Sequence, residues 1–166
     1  TIVMFASDHG DMIGERGMWF KKTMFNPAVQ VPLIIAHPQH QPGRVAAPAS
    51  LLDIFPTLLE FANISKDLIR SNLDGRSLAP ALHGETINGP IFMEHIDGGT
   101  SAPRVCIRDG NKKLTISRAY PPQFYDLKKD PLELNNLAGT GDVDEARLTK
   151  MVEDTWDLDT LLDEVI

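Results

Sequence analysis

The first 21 residues, TIVMFASDHGDMIGERGMWFK, constrain the fold more than any other part of the chain. Thr1 to Ala6 is mostly apolar and partly β-branched, and it runs straight into Ser7-Asp8-His9-Gly10. Such a run reads as a buried parallel strand ending in a polar turn, and open α/β sheets place their ligands at these carboxyl ends. Asp8 and His9, side by side, can offer one divalent cation a carboxylate oxygen and an imidazole nitrogen. Gly10 lets the backbone turn away without a clash. The strand is expected to deliver a metal site.

The residues beyond this turn are more specific. Gly10-Asp11-Met12-Ile13-Gly14-Glu15-Arg16-Gly17-Met18-Trp19-Phe20-Lys21 precedes Val31-Pro32-Leu33-Ile34-Ile35. Later come Leu52-Asp53 with Pro56-Thr57-Leu58-Leu59, then Asp74-Gly75-Arg76-Ser77-Leu78, and last Phe124-Tyr125-Asp126-Leu127 with Asp130-Pro131, Glu133 and Asn136-Leu137. These ordered blocks resemble the sulfatase branch of the alkaline phosphatase superfamily, whose pattern is S-D-H-G-D-x-L-G-E-x-G-L-W-x-K followed by R-V-P-L-I. The details are most similar to its choline sulfatase members, although Asn26 and Gln30 stand where the pattern has Glu and Arg.

The resemblance implies an α/β fold: the C-terminal part of an alkaline-phosphatase-like sulfatase, with a parallel or mixed sheet and helices plus a small antiparallel C-terminal subdomain. Residues 1–97 are expected to form the C-terminal portion of the catalytic α/β domain, truncated upstream, and residues 98–166 the small sheet with a terminal acidic helix. Sulfatases are much longer, and this chain starts at a Thr inside a core strand. It is therefore expected to be the C-terminal part of a larger protein.

The resemblance also assigns the site. Asp8 and His9 are implied metal ligands, with two further Asp residues expected on an earlier strand. The family implies calcium; an imidazole ligand leaves manganese or magnesium open. Lys21 is the implied catalytic and substrate-binding lysine on a sulfate oxygen, where an ammonium can neutralise charge on the transferring group. Lys22 is expected to be a surface charge. Trp19 and Phe20 are expected to pack and hold the loop, the other option being an aromatic wall for a quaternary ammonium. In the family a formylglycine, made from Cys or Ser in C-x-P-x-R, attacks sulfur as its hydrate. No such sequence occurs here, so the chain alone is expected to be inactive. For a trimethylammonium head, the candidate acids are Glu94 and Asp97. The implied substrate is choline sulfate. A carbohydrate sulfate, a phosphonate or phosphate monoester, and a non-catalytic remnant binding only metal or anion are the alternatives.

Charge narrows the partners. The net charge of −7 is uneven: Thr1 to Thr140 holds 14 acidic and 14 basic residues, and Gly141 to Ile166 holds 9 against 2. No basic stripe suits nucleic acid. No apolar run approaches the ~18 residues of a membrane span. The expected partners are thus a small sulfate ester and, in the full-length protein, a second copy, because Trp156-Asp157-Leu158 resembles the family tail that joins subunits. A single cysteine, Cys106, excludes an internal disulfide framework and fits a cytoplasmic location.

The remaining elements are read from pattern. Val29 to Ala36 reads as a strand broken only by Pro32, and Ser50 to Ala62 as a buried helix, regular from Ile54. Leu78 to Leu82 is a short helix ending at Gly84. Ile91 to Glu94 is a strand. Val105 to Arg108, Leu114 to Arg118 and Gln123 to Leu127 are strands, the first two joined through Asp109-Gly110. Asp144 to Val165 has the spacing of one helix with an acidic outer face.

Overall fold

The computed structural model describes residues 1–69, 72–96 and 102–163. In chain order the strands are β1 (Val3–Ala6), β2 (Met12–Ile13), β3 (Trp19–Phe20), β4 (Leu33–Ala36), β5 (Ile91–His95), β6 (Arg104–Asp109), β7 (Lys112–Ile116) and β8 (Gln123–Asp126). The α-helices are α1 (Asn26–Val29), α2 (Ile54–Phe61), α3 (Ala79–Leu82), α4 (Val143–Thr155) and α5 (Leu158–Asp163). Contacts divide the chain into two units, Thr1–Ala6 with Leu33–Ile91 and Ser7–Pro32 with Phe92–Ile166. Residues 7–32 thus group with the C-terminal residues. No helix of the described residues is long and apolar enough to cross a membrane.

In the first unit β1 pairs with β4 antiparallel, Phe5 opposite Ile34 and Ala6 opposite Leu33. The parallel reading of Thr1 to Ala6 is corrected for this pairing. A parallel neighbour needs a crossover, usually a helix; residues 7–32 instead form a looped segment whose α-helix is only α1. The strand is also less covered than its apolar sequence suggests, with Val3, Phe5 and Ile34 exposed. Pro32 lies just before β4, where its missing N–H costs no ladder bond, and Val29 belongs to α1 rather than to the strand.

The Leu52-Asp53 and Asp74-Gly75-Arg76 signatures form one clasp. Ser50 and Asp53 make a capping box before α2, and the buried Asp53 carboxylate accepts from Ser50 N at 2.8 Å and Arg76 N at 2.9 Å. Thr57 Oγ1 donates to Asp53 O at 2.6 Å and accepts from Leu78 N at 2.8 Å, holding α2 to the turn that opens α3. Gly75 is required here, since a Cβ would collide with the Leu52 carbonyl. Helix α2 buries Pro56, Thr57 and Leu59 but leaves Phe55 and Leu58 exposed.

The second unit is built on the sheet β5-β6-β7-β8. Asp109 pairs with Lys112 across the expected hairpin, and Leu114 pairs with Ile107 and Phe124. Alternation along a strand sends neighbours to opposite faces. One face (Val105, Ile107, Leu114, Phe124) packs on Leu148 and Val152 of α4. Tyr125, next to Phe124, faces the other way and packs with Met12, Phe25, Ala28 and Leu127. The Phe124-Tyr125 signature therefore serves two cores, and residues 7–32 cover the second face of the small sheet. The expected single terminal helix is two: α4 stops at Thr155, Trp156 is extended, and Asp157 caps α5 by accepting from Asp159 N and Thr160 N.

Candidate functional site

Asp8, His9 and Lys21 meet on one imidazole nitrogen. His9 Nε2 lies 3.5 Å from Asp8 Oδ2 and 3.0 Å from Lys21 Nζ. The other ring nitrogen, Nδ1, is 2.8 Å from the Gly10 carbonyl. A carbonyl only accepts and an ammonium only donates. Both contacts therefore assign the proton to Nδ1 and leave the Nε2 lone pair facing Lys21 and Asp8, the form in which an imidazole ligates a metal.

The turn that makes this arrangement is local. Ser7 Oγ donates to the His9 carbonyl at 2.9 Å, and the His9 N–H donates to Asp8 Oδ1 at 2.9 Å. That backbone bond, then the charge of His9 when protonated, holds the Asp8 carboxyl below the usual carboxylate range. Gly10 N donates to Ala28 O at 2.8 Å, and a Cβ at Gly10 would strike the Pro27 carbonyl. Gly10 thus permits a close approach of two backbone segments, a stricter demand than the turn read from sequence.

Asp8 and His9 fit part of a cation site: two donors of suitable type lie on one side, with the second imidazole nitrogen held by a carbonyl. Among the described residues, no group of three or more His, Cys, Asp or Glu side chains is arranged to hold a metal ion. The pair is open to solvent, the Asp8 side chain being 85% exposed and that of His9 34%.

Lys21 comes directly after the two-residue strand β3, which pairs with β2, Met12 opposite Phe20 and Ile13 opposite Trp19. Trp19 and Phe20 are exposed, so the expectation that they pack to hold the loop is corrected. In a two-stranded ribbon, Met12 alone reaches the core. Lys22 is exposed, and its carbonyl accepts from Arg104 at 3.0 Å. Glu94, on β5, accepts from the indole N–H of Trp156 at 3.1 Å, and the Trp156 ring meets Phe92 edge to face. Its hydrogen bond goes to that indole and not to Asp8, His9 or Lys21. Asp97 lies outside the described residues.

Sequence reasoning missed what holds the Lys21 loop. Lys113 and Glu133 form a buried ion pair at 2.7 Å, with Asn26 bound to both. Glu133 belongs to one of the family blocks, but the pattern gives it no role. The strand read from sequence starts at Leu114 and leaves Lys113 out, whereas β7 starts at Lys112 and sets Lys113 opposite Tyr125.

Comparison with known proteins agrees with this architecture. The structure of the phosphonate monoester hydrolase of Agrobacterium radiobacter matches with a TM-score of 0.70 at 30% identity, over 100% of this chain and 36% of that one. A 2-O GAG sulfatase matches with a TM-score of 0.71 at 28% identity, over 93% of this chain and 34% of that one. The fold is the alkaline-phosphatase-like one of the sulfatases. Residues 14–159 match the family described as N-sulphoglucosamine sulphohydrolase, C-terminal, and the chain belongs to that sulfatase family. The choline-sulfatase of Rhizobium meliloti (strain 1021) is 44% identical over 164 residues, covering 96% of this chain and 32% of that protein. Arylsulfatase K of Gallus gallus is 35% identical over 151 residues, covering 83% and 28%. The chain therefore spans about a third of the length of the curated relatives it matches.

Proposed function

We propose that this chain is the C-terminal part of a metal-dependent sulfuric ester hydrolase that converts choline sulfate to choline and sulfate. The observation that carries the reading is the convergence of Asp8 Oδ2 and Lys21 Nζ on His9 Nε2. The 44% identity to a choline-sulfatase supports the choice of substrate.

Asp8 and His9 would hold the divalent metal, calcium by family resemblance, with manganese and magnesium as alternatives. When bound, the metal would supply Lewis-acid polarisation of a sulfate oxygen. Asp8 remains ionised near neutrality, since its carboxyl already lies below the ordinary range. His9 keeps its proton on Nδ1 against the Gly10 carbonyl and presents Nε2. Lys21 donates to a sulfate oxygen and neutralises charge that grows as the ester bond breaks. The formylglycine of the family belongs to residues outside these 166, so the chain by itself does not turn over. Glu94 and Asp97 are the candidates for the choline ammonium, and the indole beside Glu94 adds an aromatic surface of the kind that binds quaternary ammonium groups. The full-length protein is further proposed to be a cytoplasmic homo-oligomer.

The test is turnover of choline sulfate, sulfated sugars and aryl phosphates by the complete protein. Preference for choline sulfate is expected; preference for either other class defeats the choline assignment. In the same protein, Lys21→Ala should lower kcat on the order of 100-fold or more, and Lys22→Ala should leave it near the parent value. Equal behaviour of the two variants would refute the lysine assignment. A second reading, phosphonate or phosphate monoester hydrolysis, is favoured by the match of the whole chain to a phosphonate monoester hydrolase.

A further inference from the structure

Two full charges are buried beneath the site loop. The side chains of Lys113 and Glu133 are 1% and 2% exposed, and Lys113 Nζ meets Glu133 Oε1 at 2.7 Å. Both members of the pair also bond one residue of the loop: Asn26 Oδ1 accepts from Lys113 Nζ at 2.9 Å, and Asn26 N donates to Glu133 Oε2 at 2.7 Å. Glu133 also adopts a left-handed backbone, φ 57°, a conformation a non-glycine residue holds at a cost. Arg16 donates to the carbonyls of Leu132 and Glu133 while its guanidinium covers the Phe25 ring at 4.0 Å, fixing the same turn from the other side.

Buried ion pairs add little stability over an apolar pair of equal volume, so their use here points to geometry. Asn26 is the pivot of both halves of the candidate site. Upstream, Phe25 N reaches Thr23 Oγ1 at 3.5 Å and Thr23 N donates to Lys21 O at 2.7 Å. Downstream, Ala28 O accepts from Gly10 N at 2.8 Å, next to His9. The 3.0 Å approach of Lys21 to His9 therefore depends on where Asn26 is held.

We infer that the buried Lys113–Glu133 pair is the positioning device of the site: Glu133, through Asn26, sets Lys21 against His9, and both residues determine turnover without touching substrate. This rests on the proposed sulfatase reading. Misplacing a reacting group by about 1 Å can cost on the order of 100-fold in rate. In the complete protein, Glu133→Gln keeps an acceptor for Asn26 N but loses the charge that holds Lys113.

The experiment is a double-mutant cycle of Glu133→Gln with Lys21→Ala, read as kcat and KM for a sulfate ester the parent protein turns over, with a crystal structure of the Glu133→Gln variant. Expected are a loss of about 10- to 100-fold in kcat with KM little changed, and a loss under about 3-fold when Lys21 is already Ala, because the positioned group is gone. In the crystal, Lys21 Nζ should have left His9 Nε2. Losses that multiply independently would overturn the inference, as would a parent-like kcat or an undisturbed lysine–histidine contact. If Glu133→Gln does not fold, the uncharged pair Lys113→Met with Glu133→Gln, which strands no buried charge, enters the same cycle. A parent protein without sulfatase activity defeats the proposed function; the crystallographic contact still decides the positioning.

Discussion

Gly75 and His37 show how much a single residue contributes in the first unit. A methyl group at Gly75 would meet the Leu52 carbonyl, and yielding would pull the Asp53 carboxylate off Arg76 N. Gly75→Ala should therefore lower stability by about 2–3 kcal/mol, seen as a lower denaturant midpoint with unchanged slope. The His37 ring packs at a tilt against Phe61 at 5.0 Å and His40 at 4.5 Å, and His40 meets His83 edge to face at 4.4 Å. Burial, then the charges of His40 and His83, pushes the His37 pKa below its ordinary 6.5. The folded state then binds fewer protons than the unfolded one as pH falls below 6.5. Stability present above that pH should be lost as pH falls through the lowered folded-state value. Denaturation midpoints taken from pH 7.5 downward check this, and His37→Phe should flatten part of the slope. A midpoint that rises on acidification would contradict the sign.

At the scale of elements, the β1–β4 ribbon and α2 present apolar side chains to solvent: Val3, Phe5, Ile34, Phe55 and Leu58. Among the described residues β1 has β4 as its neighbour, so its second edge carries unpaired backbone groups. Exposed apolar strands with an open edge template association. The isolated chain should therefore self-associate with increasing concentration in light scattering, and Phe5→Lys should reduce it. Helix α4 shows the opposite case. Leu148 and Val152 are fully buried on the sheet, and Lys112 Nζ lies 3.1 Å from Asp142 Oδ2 at the helix start. The acidic residues seen in the sequence are partly spent on these pairs: Arg147 bridges Asp109 at 2.7 Å and Asp144 at 3.0 Å.

At the scale of the whole chain, the proposed metal set contains only Asp8 and His9. Calorimetric titration of the isolated chain with calcium and manganese should give dissociation constants weaker than about 0.1 mM, the range of undemanding oxygen sites. Tight binding would show that the two further carboxylates expected from the family are not needed.

The amino-acid sequence by itself determined the strand–turn that ends in Asp8-His9, the Asp109-Gly110 hairpin, the short helix closing at Gly84 and the family, because each rests on local periodicity, turn chemistry or an ordered motif. Tertiary structure decided the rest. Whether β1 runs parallel or antiparallel to β4 depends on the path of residues 7–32, which no local pattern records. Trp19 and Phe20 carry core-like composition yet stand exposed, since burial depends on what packs above them. The Lys113–Glu133–Asn26 network joins residues 20 and 87 positions from Lys113. A buried charge is tolerable only when its partners arrive, and their arrival is a property of the folded chain.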